Sequence, residues 1–365
     1  MVTSLERPSA QSSKVAPPLP RAFGKYLLFD CIGRGGVAEI FLARMTAQLG
    51  GARRVVVKQI LPELSSDPKV SRAFVREAKL VTRLNHRNIV RVFDLGRESG
   101  RLYIAMEYVE GYDLNQLLRQ LTRRKLALPA EFALFIVREV LAGLDYAHRA
   151  RDQHGTPLGV VHRDVSPSNV LISFDAEVSL CDFGIARAFN RELEHPNGSA
   201  TRHKGGRDPE GSRVQRISAA GKCAYMAPEH ARGEDIDARS DLFVAGMLLW
   251  ELCAGRRLYR GSEQAQLEQA LAAEIPKLAE RGLPEQERLQ AILDRALAYD
   301  PAMRYQSAQQ MLEDLEHYAL STQLMASQLR FAAFLTEHLS DDILALRRAR
   351  ELAAEIARRS TGETR

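Results

Sequence analysis

The sequence predicts an α+β fold in two lobes, a small sheet with one helix followed by a larger, mainly helical part. Two observations predict it. Strand-like runs fill Tyr26 to about Tyr108, whereas from Tyr112 onward apolar residues recur three and four apart. A chain of 365 residues is long enough for two such units, each with its own core.

The small lobe reads as a strand from Tyr26, a Gly-rich turn, a second strand, a third at Arg54 to Gln59, a helix, and two strands at Ile89 to Leu95 and Tyr103 to Met106. Asp67 can cap that helix, Pro68 fits its first turn, and Phe74, Ala78 and Val81 follow at helical spacing. In the larger part, Phe132, Ile136, Val140, Leu144 and Ala147 stand behind Pro129 and predict one long core helix ending near His148. Two short strands follow, Val170 to Ile172 and Val178 to Leu180. Helical patterns resume at Ser240 to Ala254, after Pro284, and at Ser307, where Ser307 and Gln310 match a capping box. Past Tyr318 come two further amphipathic stretches, one to about Leu339 and one from Ser340 to Arg359. Residues 187 to 220 break the pattern with four glycines, two prolines and scattered basic residues, and read as a mobile loop.

Composition excludes several classes. With 45% hydrophobic and 27% charged residues, the chain is neither disordered, collagen-like nor a coiled coil. Its longest apolar run, about Leu242 to Trp250, is far short of the ~20 residues that cross a bilayer, so no membrane span is expected. The first residues, punctuated by Pro8, Pro17, Pro18 and Pro20, show no secretory signal; residues 1–22 read as a flexible tail and the location as cytoplasmic. Cys31, Cys181, Cys223 and Cys253 lie far apart without metal-ligand spacing and read as buried thiols. The net charge of +5 is spread along the chain without a nucleic-acid-binding signature, so no nucleic acid is expected as a partner.

At Ile32 to Ile40 stands Ile-Gly-Arg-Gly-Gly-Val-Ala-Glu-Ile, between two strand-like segments. Glycines at 33, 35 and 36 let a backbone turn come close to phosphates and aim N–H groups at them, although such a hairpin is more often only a tight turn. A strand, not a helix, follows, and Ala38 replaces the third glycine of a dinucleotide fingerprint. Val55-Val56-Val57-Lys58 then sets one lysine in an apolar strand. Further on come His162-Arg163-Asp164, Asn169, Asp182-Phe183-Gly184 and Ala227-Pro228-Glu229. Six elements in this order resemble the signature of the protein kinase family, and the resemblance covers about Phe23 to Tyr318.

The resemblance implies a kinase domain over residues 23–319, with a five-stranded antiparallel N-lobe sheet (23–108), a helical C-lobe (109–319), an activation segment at 182–229, and a helical extension at 320–365. It implies ATP and Mg²⁺, with Mn²⁺ as an alternative ion, and protein substrates in signalling. The nucleotide is expected against Ile32, Gly33, Arg34, Gly35, Gly36, Val37, Ala38 and Ile40. Lys58 is expected on its α- and β-phosphates, and Glu77 is expected to hold Lys58 by an ion pair. Asp182 and Asn169 are expected to ligate metal, and Asp164 to accept the proton of the substrate hydroxyl. Met106 is expected to guard the back of the adenine pocket, Glu107 and Val109 to bond adenine through their backbone, and Asp113 to meet the ribose or, alternatively, only to begin a helix as its N-cap. Glu229 with Arg304 resembles a buried ion pair fixing the end of the activation segment, and Asp241 resembles the aspartate that bonds the His-Arg-Asp backbone.

The chain departs from the family pattern twice. Ser166 stands where most Ser/Thr kinases carry Lys, and Lys222 stands where they carry Thr. These positions face each other in the family fold, so Lys222 is expected to supply beside Asp164 the charge that Ser166 lacks. The activation segment is long, and Ser199, Thr201, Ser212 and Ser218 are candidate acceptors for autophosphorylation through transient self-association. Two rival readings fit the sequence less well. A pseudokinase scaffold usually loses the strand lysine, the catalytic Asp or the Asp-Phe-Gly aspartate, and all three are present. A small-molecule kinase of related fold typically reads His-Gly-Asp and lacks Ala-Pro-Glu, which also fails to match.

Overall fold

The computed structural model describes residues 19–46, 52–183 and 223–360. Among them the small lobe is built on a six-stranded antiparallel sheet in the order β1-β2-β3-β4-β6-β5. Its strands are β1 (Arg21–Phe23), β2 (Tyr26–Arg34), β3 (Ala38–Thr46), β4 (Ala52–Ile60), β5 (Val92–Glu98) and β6 (Arg101–Glu107). The sheet therefore has one strand more than the sequence predicts, and it begins inside the stretch assigned to the tail. The extra strand is three residues of a tight hairpin, Phe23 opposite Tyr26, too short for alternation to be read. Ile89 lies outside the sheet; it bridges to Leu180 of the other lobe.

Two helices, not one, accompany the sheet. The short α1 (Pro62–Ser65) leads into α2 (Pro68–Val81), where Asp67 accepts from the N–H groups of Lys69 and Val70 at 2.7 and 3.4 Å, as a capping aspartate should. Val70, Phe74 and Ala78 on one face of α2 pack with Ile60, Val90, Ile104 and Met106, which places the helix against the sheet beside Lys58.

The large lobe starts with β7 (Gly111–Asp113), which pairs with β8 (Val170–Ser173), itself paired with β9 (Val178–Leu180). At Gly111 a Cβ would sit 1.9 Å from the backbone carbonyl oxygen of Ile172, so only glycine lets the two strands approach. Gly111→Ala must separate strands at the exit of the interlobe linker. We expect a loss of about 1–3 kcal/mol, read as a lowered thermal midpoint; an unchanged midpoint would show that the strands part freely.

The helices are α3 (Leu114–Arg123), α4 (Ala130–His148), α5 (Pro228–Ala231), α6 (Ala238–Ala254), α7 (Glu263–Ala272), α8 (Gln286–Ala296), α9 (Ala308–Ser321) and α10 (Gln328–Ser360). The α4 helix stands where the apolar spacing behind Pro129 puts it. The α6 helix is buried all round, as the spine of the lobe, and ends at left-handed Gly255 (φ 62°). At the start of α9, Ser307 accepts from Gln310 N–H, but the Gln310 side chain reaches Gln306 N–H, so the predicted capping box is open on one side. The reciprocal box forms instead at α3, between Asp113 and Gln116.

The extension past Tyr318 is one continuous helix where two stretches were expected. Phe331, Leu335, Leu339 and Ile343 are its buried stripe, with Phe331 stacked on Phe132 of α4 at 4.9 Å. None of the four cysteines forms a disulfide; Cys223 and Cys253 are buried as expected, whereas Cys31 and Cys181 are only half-buried. Among the described residues no helix is long and apolar enough to cross a membrane.

Candidate active site

The Gly-rich segment closes the β2–β3 hairpin, with Gly35 N–H donating to the Ala38 carbonyl at 2.9 Å. Gly33 faces Ile40 and Arg34 faces Glu39 across the ladder, while a Cβ on Gly36 would meet nothing within 4 Å. Ile32 is exposed, Val37 is half-buried, and Ala38 joins the apolar cluster of α2. On the next strand, Lys58 pairs with Ile40 and Ile104, which points its side chain beneath the hairpin.

Lys58 Nζ donates to Asp182 Oδ1 at 2.7 Å. Burial alone would lower the pKa of this ammonium, but the facing carboxylate more than offsets it, and the pKa lies above the ordinary lysine value. The lysine is therefore a fixed cation next to the first residue of Asp-Phe-Gly. Lys58→Met is expected to abolish phosphoryl transfer, checked with the same radiolabel assay described below. The side chain of Glu77 and residue Lys222 lie outside the described residues, as do Ser199, Thr201, Ser212 and Ser218.

The loop between α4 and β8 carries the densest polar network. Asp241, wholly buried at the start of α6, accepts from the N–H groups of His162 and Arg163, both at 2.8 Å, and pairs with His148 Nε2 at 2.8 Å. Asp164 N–H donates to His162 Nδ1 at 3.3 Å, so His162 carries its proton on Nε2, which faces the Cys181 carbonyl at 3.1 Å. The same ring lies 4.3 Å from that of buried Phe183. Asn169 Nδ2 donates to the Asp164 backbone carbonyl at 2.7 Å and to Asp164 Oδ2 at 2.8 Å, which leaves the lone pairs of its Oδ1 for an acceptor or cation-coordinating role. Arg163 and Asp182 both adopt left-handed backbone, at φ 64° and 63°. Such conformations cost about 1–3 kcal/mol each in a non-glycine residue and persist only where the surroundings hold them. Here Asp241 holds the first and Lys58 the second.

Burial pushes the Asp241 carboxyl up, and the His148 bond with the backbone N–H groups more than offsets it, so its pKa lies below the ordinary value. A depressed native pKa means that unfolded chains take up a proton first as pH falls. The stabilisation is complete above the ordinary aspartate pKa of about 4 and fades below it. Thermal midpoints measured against pH should fall in that acid window, and the fall should be shallower in Asp241→Asn; an equal slope in the variant would remove Asp241 as a source.

Met106, on β6, is nearly buried against Val56 and Val92. The Glu107 N–H is already donated to the Arg91 carbonyl at 2.8 Å, so a base could use only its carbonyl, with Val109 half-buried two residues on. Asp113 is the N-cap of α3, accepting from Gln116 N–H at 2.8 Å, which is the alternative left open by the sequence. Ser166 is buried, its Oγ 3.1 Å from that of Ser168.

Glu229 and Arg304 form the expected buried pair through two parallel 2.8 Å hydrogen bonds. Ser240 also donates to Glu229, and His148 completes the Asp241 cluster; neither was singled out in the sequence, since a serine at a helix start and a histidine at a helix end look unremarkable there. Together Gly-rich hairpin, Lys58, Asp164, Asn169 and Asp182 meet at the junction of the two lobes.

The family model for the protein kinase domain matches residues 26–315. The chain belongs to the protein kinase family. It is 36% identical over 329 residues to the tyrosine-protein kinase MasK of Myxococcus xanthus, covering 89% of this chain and 48% of that protein. It is 37% identical over 301 residues to the probable serine/threonine-protein kinase SCO3848 of Streptomyces coelicolor, covering 81% and 40%. This protein kinase chain thus spans less than half the length of these relatives. Among solved structures it resembles the PknI kinase domain of Mycobacterium tuberculosis, with a TM-score of 0.59 at 28% identity over 84% of this chain and all of that one. The kinase family uses ATP with a divalent metal ion and acts on proteins.

Proposed function

We propose that the protein transfers the γ-phosphoryl group of ATP to Ser or Thr hydroxyls of proteins. The observation that carries this reading is the convergence of Lys58, Asp182, Asn169 and Asp164 on one interlobe cleft. The mechanism is positioning and electrostatics with no covalent enzyme intermediate. Lys58 pairs with the α- and β-phosphates under the Gly-rich hairpin, with Glu77 as its second partner. Asp164 accepts the proton of the attacking hydroxyl, held in place by the Asn169 amide. The Glu107 carbonyl and the Val109 N–H bond the adenine edge beneath Met106.

Mg²⁺, with Mn²⁺ as an alternative, fits the donors Asp182 and Asn169, which present hard oxygens. When bound, that ion neutralises charge on the phosphates.

The preference for Ser or Thr rests on the relatives named as serine/threonine kinases and on the absence of the tyrosine-kinase Ala-Ala-Arg or Arg-Ala-Ala after His-Arg-Asp; the name of MasK is the reason to test it. The test is transfer of ³²P from Mg·ATP to the protein itself and to a basic protein substrate, followed by phosphoamino-acid analysis. Label on Ser or Thr supports the proposal, and label on Tyr alone overturns it. Autophosphorylation within residues 187–220 belongs to the same reading, and peptide mapping without label there would remove it. We assign Lys222 the charge that Ser166 does not provide; unchanged turnover in Lys222→Thr would end that assignment, and recovery of a lost rate by added Ser166→Lys would support it.

A further inference from the structure

The helix α10 does more than cover the large lobe. Its inward stripe changes character along its length: Phe331, Leu335, Leu339 and Ile343, then Arg347 and Arg350, then Ala353 and Ala354. The apolar part lies on the large lobe, where Phe331 meets Phe132 and Phe135 and Arg124 pairs with Asp342 at 2.6 Å. The alanines lie on the small lobe, against Phe29 and Leu42 of β2 and β3. Between them the two arginines reach the linker that joins the lobes.

There the contacts interlock. Arg350 Nη1 donates to Tyr108 Oη at 2.6 Å, and its guanidinium lies 5.1 Å from the Tyr108 ring centre. Arg54 of β4 lies 5.7 Å from the same centre. Glu110 is shared in the same way, with Oε1 3.3 Å from Arg54 Nη1 and Oε2 3.4 Å from Arg347 Nε. Each of these two linker residues is thus gripped by one arginine from the small lobe and one from α10. They bracket Val109 and directly follow Glu107, whose backbone faces the nucleotide in the reading above.

We propose that Arg350 and Arg347 are positioning residues of the nucleotide site, which hold Tyr108 and Glu110 and thereby fix the linker backbone that bonds adenine. This rests on the nucleotide reading of the cleft. The linker has three residues between β6 and β7, and its backbone is tied at its last one, where the Glu110 carbonyl accepts from Phe174 N–H at 2.9 Å, while Tyr108 and Val109 lie outside the ladders. Pinning both of its outer side chains restricts the rotation of the peptide groups that must face a base, and a pre-set linker binds nucleotide without paying for that order at the moment of binding.

The test uses the full chain and two readouts: nucleotide affinity by displacement of a fluorescent ATP analogue, and KM for ATP against kcat. Arg350→Ala should weaken ATP binding about fivefold, the net size of one ordinary hydrogen bond, with KM for ATP rising in step and kcat within about twofold. Arg350→Lys, which keeps a donor, should recover most of the affinity. In a Tyr108→Phe background, which lacks the hydroxyl, adding Arg350→Ala should cost markedly less than alone. Unchanged ATP affinity in Arg350→Ala, or an equal loss in both backgrounds, would overturn the proposal. Because affinity is read without turnover, absence of phosphoryl transfer in the unmodified chain would overturn the kinase reading and leave this test standing.

Discussion

Asp164→Asn should bind ATP as the unmodified protein does and transfer phosphate about 10²- to 10⁴-fold more slowly, the usual contribution of one positioned general base. The substitution is nearly isosteric and keeps an oxygen toward the Asn169 amide, so the bond of that amide to the Asp164 carbonyl at 2.7 Å and the frame around Asp241 should persist. What disappears is the anion that, in the proposed mechanism, receives the proton of the substrate hydroxyl. Initial rates of ³²P incorporation, set beside nucleotide affinity, separate the two. Residual transfer above about a tenth of the unmodified rate would show that Asp164 is not the base, and lost nucleotide binding would show that the substitution disturbed the fold instead.

The second large effect is on stability. Arg304 is fully buried and gives two hydrogen bonds to Glu229; it donates further to the carbonyls of Ala298 and Tyr299 at 2.7 and 3.0 Å and lies 4.7 Å from the Phe243 ring centre. Burial pushes the Glu229 carboxyl up, and the Arg304 and Ser240 bonds more than offset it, so it is held below the ordinary glutamate value as an anion. Arg304→Met removes the cation and leaves that anion buried with Ser240 and a backbone N–H, a change that costs about 3–5 kcal/mol. Equilibrium denaturation in urea should show it as a lowered midpoint. Glu229→Gln combined with Arg304→Met should recover part of the loss, because the stranded charge has gone. A single variant within about 1 kcal/mol of the parent would mean that the pair is not what holds α5 against the lobe.

Much of this arrangement was legible beforehand, and the reasons differ by element. The α4 helix follows from five apolar residues at helical spacing, and the cap of α2 from Asp67-Pro68, because both are local signals. That Lys58 meets Asp182 and Asn169 meets Asp164 was readable from their order along the chain, which resembles the kinase signature. The misses are of another kind. The strand β1 is defined by its hairpin partner, not by its three residues. The continuity of α10 is hidden at Ser340-Asp341-Asp342, which look like the start of a new helix although the buried stripe runs on from Leu339 to Ile343. Asp113 forms the N-cap bond to Gln116 through Oδ1, a local signal that a ribose contact through its other oxygen does not contradict. Arg350 lies 242 positions from Tyr108, and nothing in either neighbourhood advertises the other.

One consequence of α10 concerns how the molecule breathes. The small lobe has its own apolar clusters, separate from the large one beneath α6, and two such units joined by a short linker would ordinarily open independently. A single helix rooted on Phe132 and ending on Phe29 and Leu42 joins their fates: the sheet cannot loosen at β2 and β3 without releasing the last turns of the helix. Amide protons around Ala353 and Ala354 should then exchange with deuterium at the rate at which the small lobe opens, while those around Leu335 follow the large lobe. One helix thus carries a record of both.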